Sequence, residues 1–248
     1  MGCRMYVLLA AVLLAATYYS MHLMSGAGRQ ELNPVCDEFP AEYLDYCLYR
    51  KSSFTRHEAN KSVSYCLQIG RENVRGHCMT DVAVFAIFNK PEDSVGRKTA
   101  SDVCAILDGV WRDECFFKSA EALANAYTDY GHAYDSCRMS GGFEHDCIGH
   151  LSDIVSQRSI ASAFDFCGRV RDDYSSVSQA PVDYCFHHIG LRLGSSGGST
   201  PCALVSKCNA AGEYNLSCIN GLLNTYGDVK SLCACPNVGV DFKDMCVK

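Results

Sequence analysis

The sequence feature that most constrains the fold is a cysteine preceded, two positions earlier, by an aspartate. This tetrad, x-Asp-x-Cys, ends at Cys104 and again at Cys115, with ten residues between the two cysteines. Seven copies in one chain predict a repeated helical hairpin that carries two cysteines in each hairpin. The other five copies end at Cys47, Cys137, Cys167, Cys185 and Cys246.

The cysteine content indicates an oxidising compartment. The chain has 17 cysteines among 248 residues, which a reducing cytosol would leave as thiols or metal ligands. Zinc domains typically pair cysteines about two to four residues apart. Here the recurring gap is longer, and the one tight pair is Cys233-x-Cys235. The spacing therefore favours disulfides over zinc.

We expect each cysteine to pair with a near neighbour, although sequence alone does not determine connectivity. Sixteen cysteines remain for pairing if Cys3 is removed or stays in the cytoplasm. A disulfide that closes a loop of about ten residues stabilises the fold by roughly 3 kcal/mol, because it restricts the unfolded chain. The predicted pairs are Cys36–Cys47, Cys66–Cys78, Cys104–Cys115, Cys137–Cys147, Cys167–Cys185, Cys208–Cys218, Cys202–Cys233 and Cys235–Cys246.

Local patterns predict helices on both sides of each cysteine. An aspartate two residues before a cysteine suits the N-cap, where its carboxylate accepts free backbone N–H groups. Apolar or small residues then recur at helical spacing, as at Phe116, Ala120 and Leu123. The predicted fold is all-α: an α-solenoid-like, disulfide-stapled array of short helical hairpins, each of which must stack on its neighbours. The glycines predicted to end helices are Gly131, Gly194 and Gly227.

The chain divides by composition into four segments. Residues 1–30 carry Arg4 before an apolar run, which is typical of a signal peptide cleaved after Ala27. The alternative is a retained membrane anchor, because Met5 to Met24 is about long enough to span a bilayer. Cysteine-rich helical repeats are predicted for residues 31–194, a flexible Ser/Gly linker for residues 195–200, and further repeats for residues 201–248.

Charge and composition limit the classes of molecule that the protein is expected to bind. The chain is 48% hydrophobic and 20% charged, so it can bury a core. A net charge of −6 and the absence of a Lys/Arg run argue against nucleic-acid binding. The expected partner is another extracellular or membrane protein, with membrane contact only through an uncleaved N-terminal segment. The location is secreted or extracytoplasmic membrane-anchored; the mitochondrial intermembrane space ranks below it.

Two histidines occupy equivalent positions in consecutive repeats. His150 and His188 each follow a cysteine by three residues, so stacking brings them side by side. Together with His145 and His187 they are candidate ligands for Zn or Cu. The alternatives are surface histidines with ordinary hydrogen bonds, or a pH-responsive contact.

The residues His145-Asp146-Cys147, after Gly141-Gly142, are similar to the His-Asp pair of secreted phospholipases A2. The resemblance implies a histidine that activates water and an aspartate that holds calcium with a Gly-rich loop. The chain departs from that family because no Cys-Cys precedes the pair, and Cys137 lies seven residues too early. A secreted hydrolase is therefore the least favoured interpretation.

The segment from Val103 to Phe117, with Cys104-Ala-Ile and Trp111-Arg-Asp-Glu-Cys115, resembles a cysteine-rich α-helical repeat of uncharacterised secreted microbial proteins. The resemblance implies an extracytoplasmic helical-repeat protein and brings no activity with it. No phosphate-binding Gly-rich loop occurs. Asn60 and Asn215 begin glycosylation sequons. The expected function is non-catalytic binding or scaffolding by a repeat surface, with metal binding as the alternative.

Overall fold

The computed structural model describes residue 36 and residues 39–89, 94–127, 130–174 and 178–235. The fold is all-α, as predicted, with no strand among these residues. Two 3₁₀ turns, Gly141–Phe143 and Asn209–Tyr214, lead into long helices. The α-helices are α1 (Ala41–Thr55), α2 (Ala59–Cys66), α3 (Glu72–Asn89), α4 (Ser94–Cys104), α5 (Gly109–Ala126), α6 (Gly131–Arg138), α7 (Glu144–Arg158), α8 (Ile160–Tyr174), α9 (Ala180–Ser195), α10 (Pro201–Cys208), α11 (Asn215–Thr225) and α12 (Val229–Cys233).

Each hairpin is stapled at the same place. In each hairpin the first cysteine precedes the longer helix, and it bonds to the second cysteine, which lies in the first half of that helix. Six pairs join the cysteines that the spacing predicts: Cys36–Cys47, Cys66–Cys78, Cys104–Cys115, Cys137–Cys147, Cys167–Cys185 and Cys208–Cys218. These bonds indicate an oxidising, extracytoplasmic environment.

The predicted pairs Cys202–Cys233 and Cys235–Cys246 are wrong, because Cys202 bonds to Cys235. Cys233 is disulfide-bonded as well, so it does not use Cys202. Positions two apart along a chain point in different directions, and here Cys235 is the one that reaches the first turn of α10. Cys246 and residues 1–30, with the predicted signal peptide or anchor, lie outside the described residues.

The long helices α1, α3, α5, α7, α9 and α11 stack in one row, each in contact with the next. The helices between them in the chain pack against this row. The core runs along the row, and the residue directly after the second cysteine is buried in every long helix. These six apolar residues are Leu48, Met79, Phe116, Ile148, Phe186 and Ile219.

Aspartates that lie two positions before the second cysteine of a hairpin form hydrogen bonds to the next repeat rather than to their own helix. Asp45, which lies within α1, accepts hydrogen bonds from the backbone N–H groups of Gly70 and Arg71, just before α3. Asp113 does the same for Gly142, just before α7. The predicted N-cap role is therefore wrong for both, because the helix begins upstream of each aspartate and places its carboxylate over the neighbouring repeat.

Two of the three glycines predicted to end helices do not do so. Gly131 begins α6, and Gly194 lies inside α9. Gly194 is there because a Cβ would collide with the Thr225 side chain of α11. The requirement at this position is close helix approach rather than a left-handed backbone. Gly227, the third, does follow the end of α11.

Helices α9 and α11 approach until their backbones touch. A Cβ on Gly190 would overlap the Cys218 carbonyl oxygen, and one on Gly221 would overlap the His187 carbonyl oxygen. The predicted linker, residues 195–200, joins α9 to α10, and the chain then returns through α11 to contact α9. Gly197 and Gly198 in the linker have positive φ angles of 62° and 80°, which turn the chain towards α10.

One arginine caps the C-terminal end of α5, the third long helix. The Arg158 guanidinium donates to the carbonyl oxygens of Ala124, Asn125 and Tyr127 at 2.9, 2.6 and 3.0 Å. These carbonyls have no partner within α5 because they belong to its last turn.

Among the described residues, no helix combines the length and hydropathy that a membrane span requires.

Candidate functional site

Stacking of the long helices brings the predicted histidines of α7 and α9 together. His150 and His188 line one recess of about 300 Å³, with Asp153 on its wall. The His187 and His188 ring centroids lie 6.2 Å apart. The expectation that equivalent positions of adjacent repeats approach each other agrees with this arrangement.

His150 is also in contact with α5 on its other side. Its Nδ1 lies 3.2 Å from a carboxylate oxygen of Glu121, whose other oxygen lies 2.7 Å from the Lys118 amine. The Phe117 ring packs edge-on against His150, with centroids 5.3 Å apart. His150 is therefore a link between three neighbouring long helices.

His187 and His188 are half-buried, and their positions alter their acidity. Burial is the main cause that lowers the pKa of each below the ordinary value. For His188 the neighbouring His187 and His150 lower the pKa further. The Tyr184 ring packs edge-on against His188 at 4.7 Å. Both imidazoles are thus favoured in the neutral form.

The fourth candidate ligand, His145, is exposed in the first turn of α7. Among the residues that the structure describes, no three His, Cys, Asp or Glu side chains are grouped to hold a metal ion. His145 lies within α7, which begins one residue earlier, at Glu144. Of the two sequons, Asn60 is exposed on α2, and Asn215 is partly exposed at the start of α11.

A second cavity lies between α8 and α10, and sequence reasoning missed it. Cys167 and Cys185 are 18 residues apart, the widest of the five successive pairs between Cys36 and Cys185. The added length lets α8 continue past its cysteine to Tyr174, whereas α2, α4 and α10 end at theirs. This extension forms one wall of a groove of about 720 Å³ against α10. We call it the α8–α10 groove.

The floor of the α8–α10 groove is aromatic. Phe164 lies 6.1 Å from Phe186, which in turn stacks on Tyr214 at 5.4 Å. The preceding gap, between α6 and α8, differs because Tyr134 packs into it against Phe166 at 5.9 Å. The groove is therefore a local departure from the repeat.

The rim of the groove is charged, and one lining residue, Gly168, has no side chain. Arg171 pairs with Asp172 at 2.9 Å, whereas Arg169 and Lys207 form no ion pair with the described residues. Gly168 faces open space, since a Cβ there would meet no atom within 4 Å. The site thus combines an apolar floor, two cations that pair with no described carboxylate, and room for an inserted side chain. The sequence signal was the wide Cys167–Cys185 spacing together with Gly168 directly after a cysteine.

No protein family, curated protein or solved structure that was compared matches the chain.

Proposed function

We propose that the protein is a secreted or membrane-anchored, non-catalytic binding module that holds a segment of another extracellular protein in the α8–α10 groove. The observation that carries the proposal is the groove itself, whose volume of about 720 Å³ falls in the range of sites that enclose large ligand groups. A stapled helical array provides a rigid support for such a surface without a catalytic pocket.

The lining of the groove specifies the chemistry of the bound segment. The aromatic floor of Phe164 and Phe186 suits an apolar side chain, because its burial removes apolar area from water. Arg169 and Lys207 on the rim suit a carboxylate next to that side chain. The expected segment therefore carries an aromatic or aliphatic residue beside aspartate or glutamate.

A peptide-display selection tests the proposal. The full-length chain, produced in an oxidising secretory pathway, is used to select from a random 12-residue library, and enriched peptides are measured by calorimetry. We expect an apolar residue next to an acidic one in the enriched set. Gly168→Leu should abolish binding, because a Cβ at this position meets no atom within 4 Å and the rest of the new side chain then occupies the groove.

The matched control is Gly227→Leu. Gly227 also faces open space and lies outside the groove, so this variant should bind as the parent does. Arg169→Glu should weaken binding at least tenfold and make it less sensitive to salt. Peptides that bind Gly168→Leu as well as the parent, or a selection without enrichment, would overturn the proposed function.

A further inference from the structure

A third cavity lies between α5 and α7, two neighbouring long helices, and the proposed function does not use it. Its volume is about 350 Å³, at the small end of the range for ligand sites. Its lining includes Glu114 and Phe117 of α5, Phe143 of the 3₁₀ turn before α7, and Asp146 of the first turn of α7. We call this cavity the α5–α7 pocket.

The turn that carries Phe143 is tied to α5. The Asp113 carboxylate accepts a hydrogen bond from the Gly142 N–H group at 3.0 Å. The Phe143 ring then meets the Phe117 ring edge-on, with centroids 6.3 Å apart. Phe117 is buried, whereas Phe143 stays partly exposed. The pocket is therefore preorganised, with Phe143 as its accessible ring.

One half of the pocket already holds an ammonium group of the protein itself. The Lys118 amine lies 5.1 Å from the centre of the Phe117 ring and 2.7 Å from a Glu121 carboxylate oxygen. Such an arrangement stabilises an ammonium ion, because the attraction of the ring face adds to that of the carboxylate. Lys118 follows Glu114 by about one helical turn, yet its amine contacts Glu121 instead.

The other half contains the same kinds of side chain without the ammonium group. The carboxylates of Glu114 and Asp146 form no ion pair or hydrogen bond with the described residues. The neighbouring carboxylates of Asp113, Glu121 and Glu144 each have a partner in the protein. The pocket therefore presents two negative charges beside an accessible aromatic ring, and no described cation neutralises them.

We propose that the α5–α7 pocket binds a primary ammonium group on a short apolar stem, with the nitrogen between Glu114 and Asp146 and the stem against Phe143. An ammonium group donates three hydrogen bonds, which suits two carboxylates that accept none from the described residues. A bare metal ion fits less well, because no three His, Cys, Asp or Glu side chains in the described part of the chain are grouped to hold one. The pocket shares no residue with the α8–α10 groove, so this inference stands apart from the proposed function.

An NMR titration of the full-length chain, ¹⁵N-labelled and produced under oxidising conditions, tests the proposal. The probe is n-butylammonium chloride, and n-butanol is the neutral probe of similar shape. We expect saturable shifts of the amide signals in residues 114–118 and 143–147, with a Kd on the order of millimolar because the site is open to solvent. The alcohol should bind at least tenfold more weakly. Equal binding of the two probes would show that only the apolar stem is recognised, and would overturn the proposal.

Glu114→Gln/Asp146→Asn tests the two carboxylates. The substitutions keep the shape of both side chains and remove their charges, so n-butylammonium should bind at least tenfold more weakly. The matched control is Glu42→Gln/Glu213→Gln, which removes the same charge from two exposed carboxylates outside the pocket and should bind as the parent does. Far-UV circular dichroism checks the fold of each variant. Binding by Glu114→Gln/Asp146→Asn equal to that of the parent would overturn the proposal.

Two further probes distinguish the source of the ammonium group from a metal ion. Tighter binding of n-butylammonium than of Nα-acetyl-lysine N-methylamide indicates a free amine as the natural ligand. The reverse order indicates a lysine side chain of a protein, and either order supports an ammonium site. Ca²⁺ or Zn²⁺ that shifts the same amide signals at lower concentrations than n-butylammonium would identify a metal site and overturn the proposal.

Discussion

Gly190 of α9 lies against the carbonyl group of Cys218 in α11, with no room between the two for a Cβ atom. The contact places the backbone of one repeat directly on the backbone of the next, at a disulfide-bonded cysteine. Among the glycines of the described residues, those between α9 and α11 leave the least space for a Cβ atom.

We predict that Gly190→Ala destabilises the protein, because the added methyl group meets backbone atoms that move only if the two helices separate. Overpacking of this kind costs about 1–3 kcal/mol, and the better helix propensity of alanine offsets up to about 1 kcal/mol of it. Urea unfolding with intact disulfides, followed by far-UV circular dichroism, measures the change. Gly168→Ala is the control: its Cβ meets nothing, so the free energy of unfolding should stay equal or rise. Equal stability of both variants would contradict the close packing.

A second prediction concerns the cap on α5. Arg158→Met removes three hydrogen bonds to the Ala124, Asn125 and Tyr127 carbonyls and should lower the free energy of unfolding by roughly 2 kcal/mol. Hydrogen exchange should quicken selectively at the last turn of α5. Arg169→Met, which removes an arginine with no ion pair to the described residues, should leave exchange in α5 unchanged. Unaltered exchange in Arg158→Met would show that solvent replaces the cap without loss.

The non-sequential disulfide gives a third prediction. Cys202→Ser/Cys235→Ser opens a link between residues 33 apart and should cost roughly 4 kcal/mol, about 1 kcal/mol more than loss of the ten-residue Cys208–Cys218 link. Thiol labelling identifies the partner directly: Cys235→Ser should leave a reactive thiol at Cys202, whereas Cys233→Ser should not. A labelled Cys202 in Cys233→Ser would instead restore the pairing expected from the sequence.

The fourth prediction concerns pH. Burial and two neighbouring imidazoles hold the pKa of His188 below its ordinary value, so the unfolded chain binds the proton first as pH falls. The free energy of unfolding should therefore be unaffected above about pH 6.5. It should then fall with decreasing pH until the folded protein also binds the proton. His188→Gln should reduce this slope in denaturant titrations between about pH 7 and 5, and the exposed His145→Gln should not. A slope unchanged in His188→Gln would place the proton uptake elsewhere.

Much of the fold could be predicted from cysteine spacing, because a disulfide between near neighbours requires only local geometry. Cys137 and Cys147 are joined as their separation indicates. Cys202 was assigned wrongly because Cys233 and Cys235 are equally near in sequence, and only the direction of the chain after α12 distinguishes them. The aspartates were misassigned for a similar reason: an N-cap is local, whereas Asp45 bonds to Gly70 and Arg71 of the next repeat.

The candidate site was harder to predict than the fold. The approach of His150 to His188 follows from equal offsets in adjacent repeats. The α8–α10 groove depends instead on a gap between two helices that share no sequence pattern. Its lining residues include Phe164 of α8 and Lys207 of α10. The apolar periodicity indicates which residues fill the core but not the space that neighbouring helices leave open, for which the wide Cys167–Cys185 spacing is the one sequence signal.

The order of the disulfides has a consequence for how the chain is made. From Cys36 to Cys185 each cysteine pairs with the next cysteine along the chain. During entry into an oxidising compartment, each bond can therefore close as soon as its second thiol arrives, before later repeats exist. Cys202 must instead wait while the Cys208–Cys218 bond forms inside its loop. The last fifth of the protein is thus where a thiol waits longest for its partner, and where a wrong bond would have to be exchanged before the native one forms.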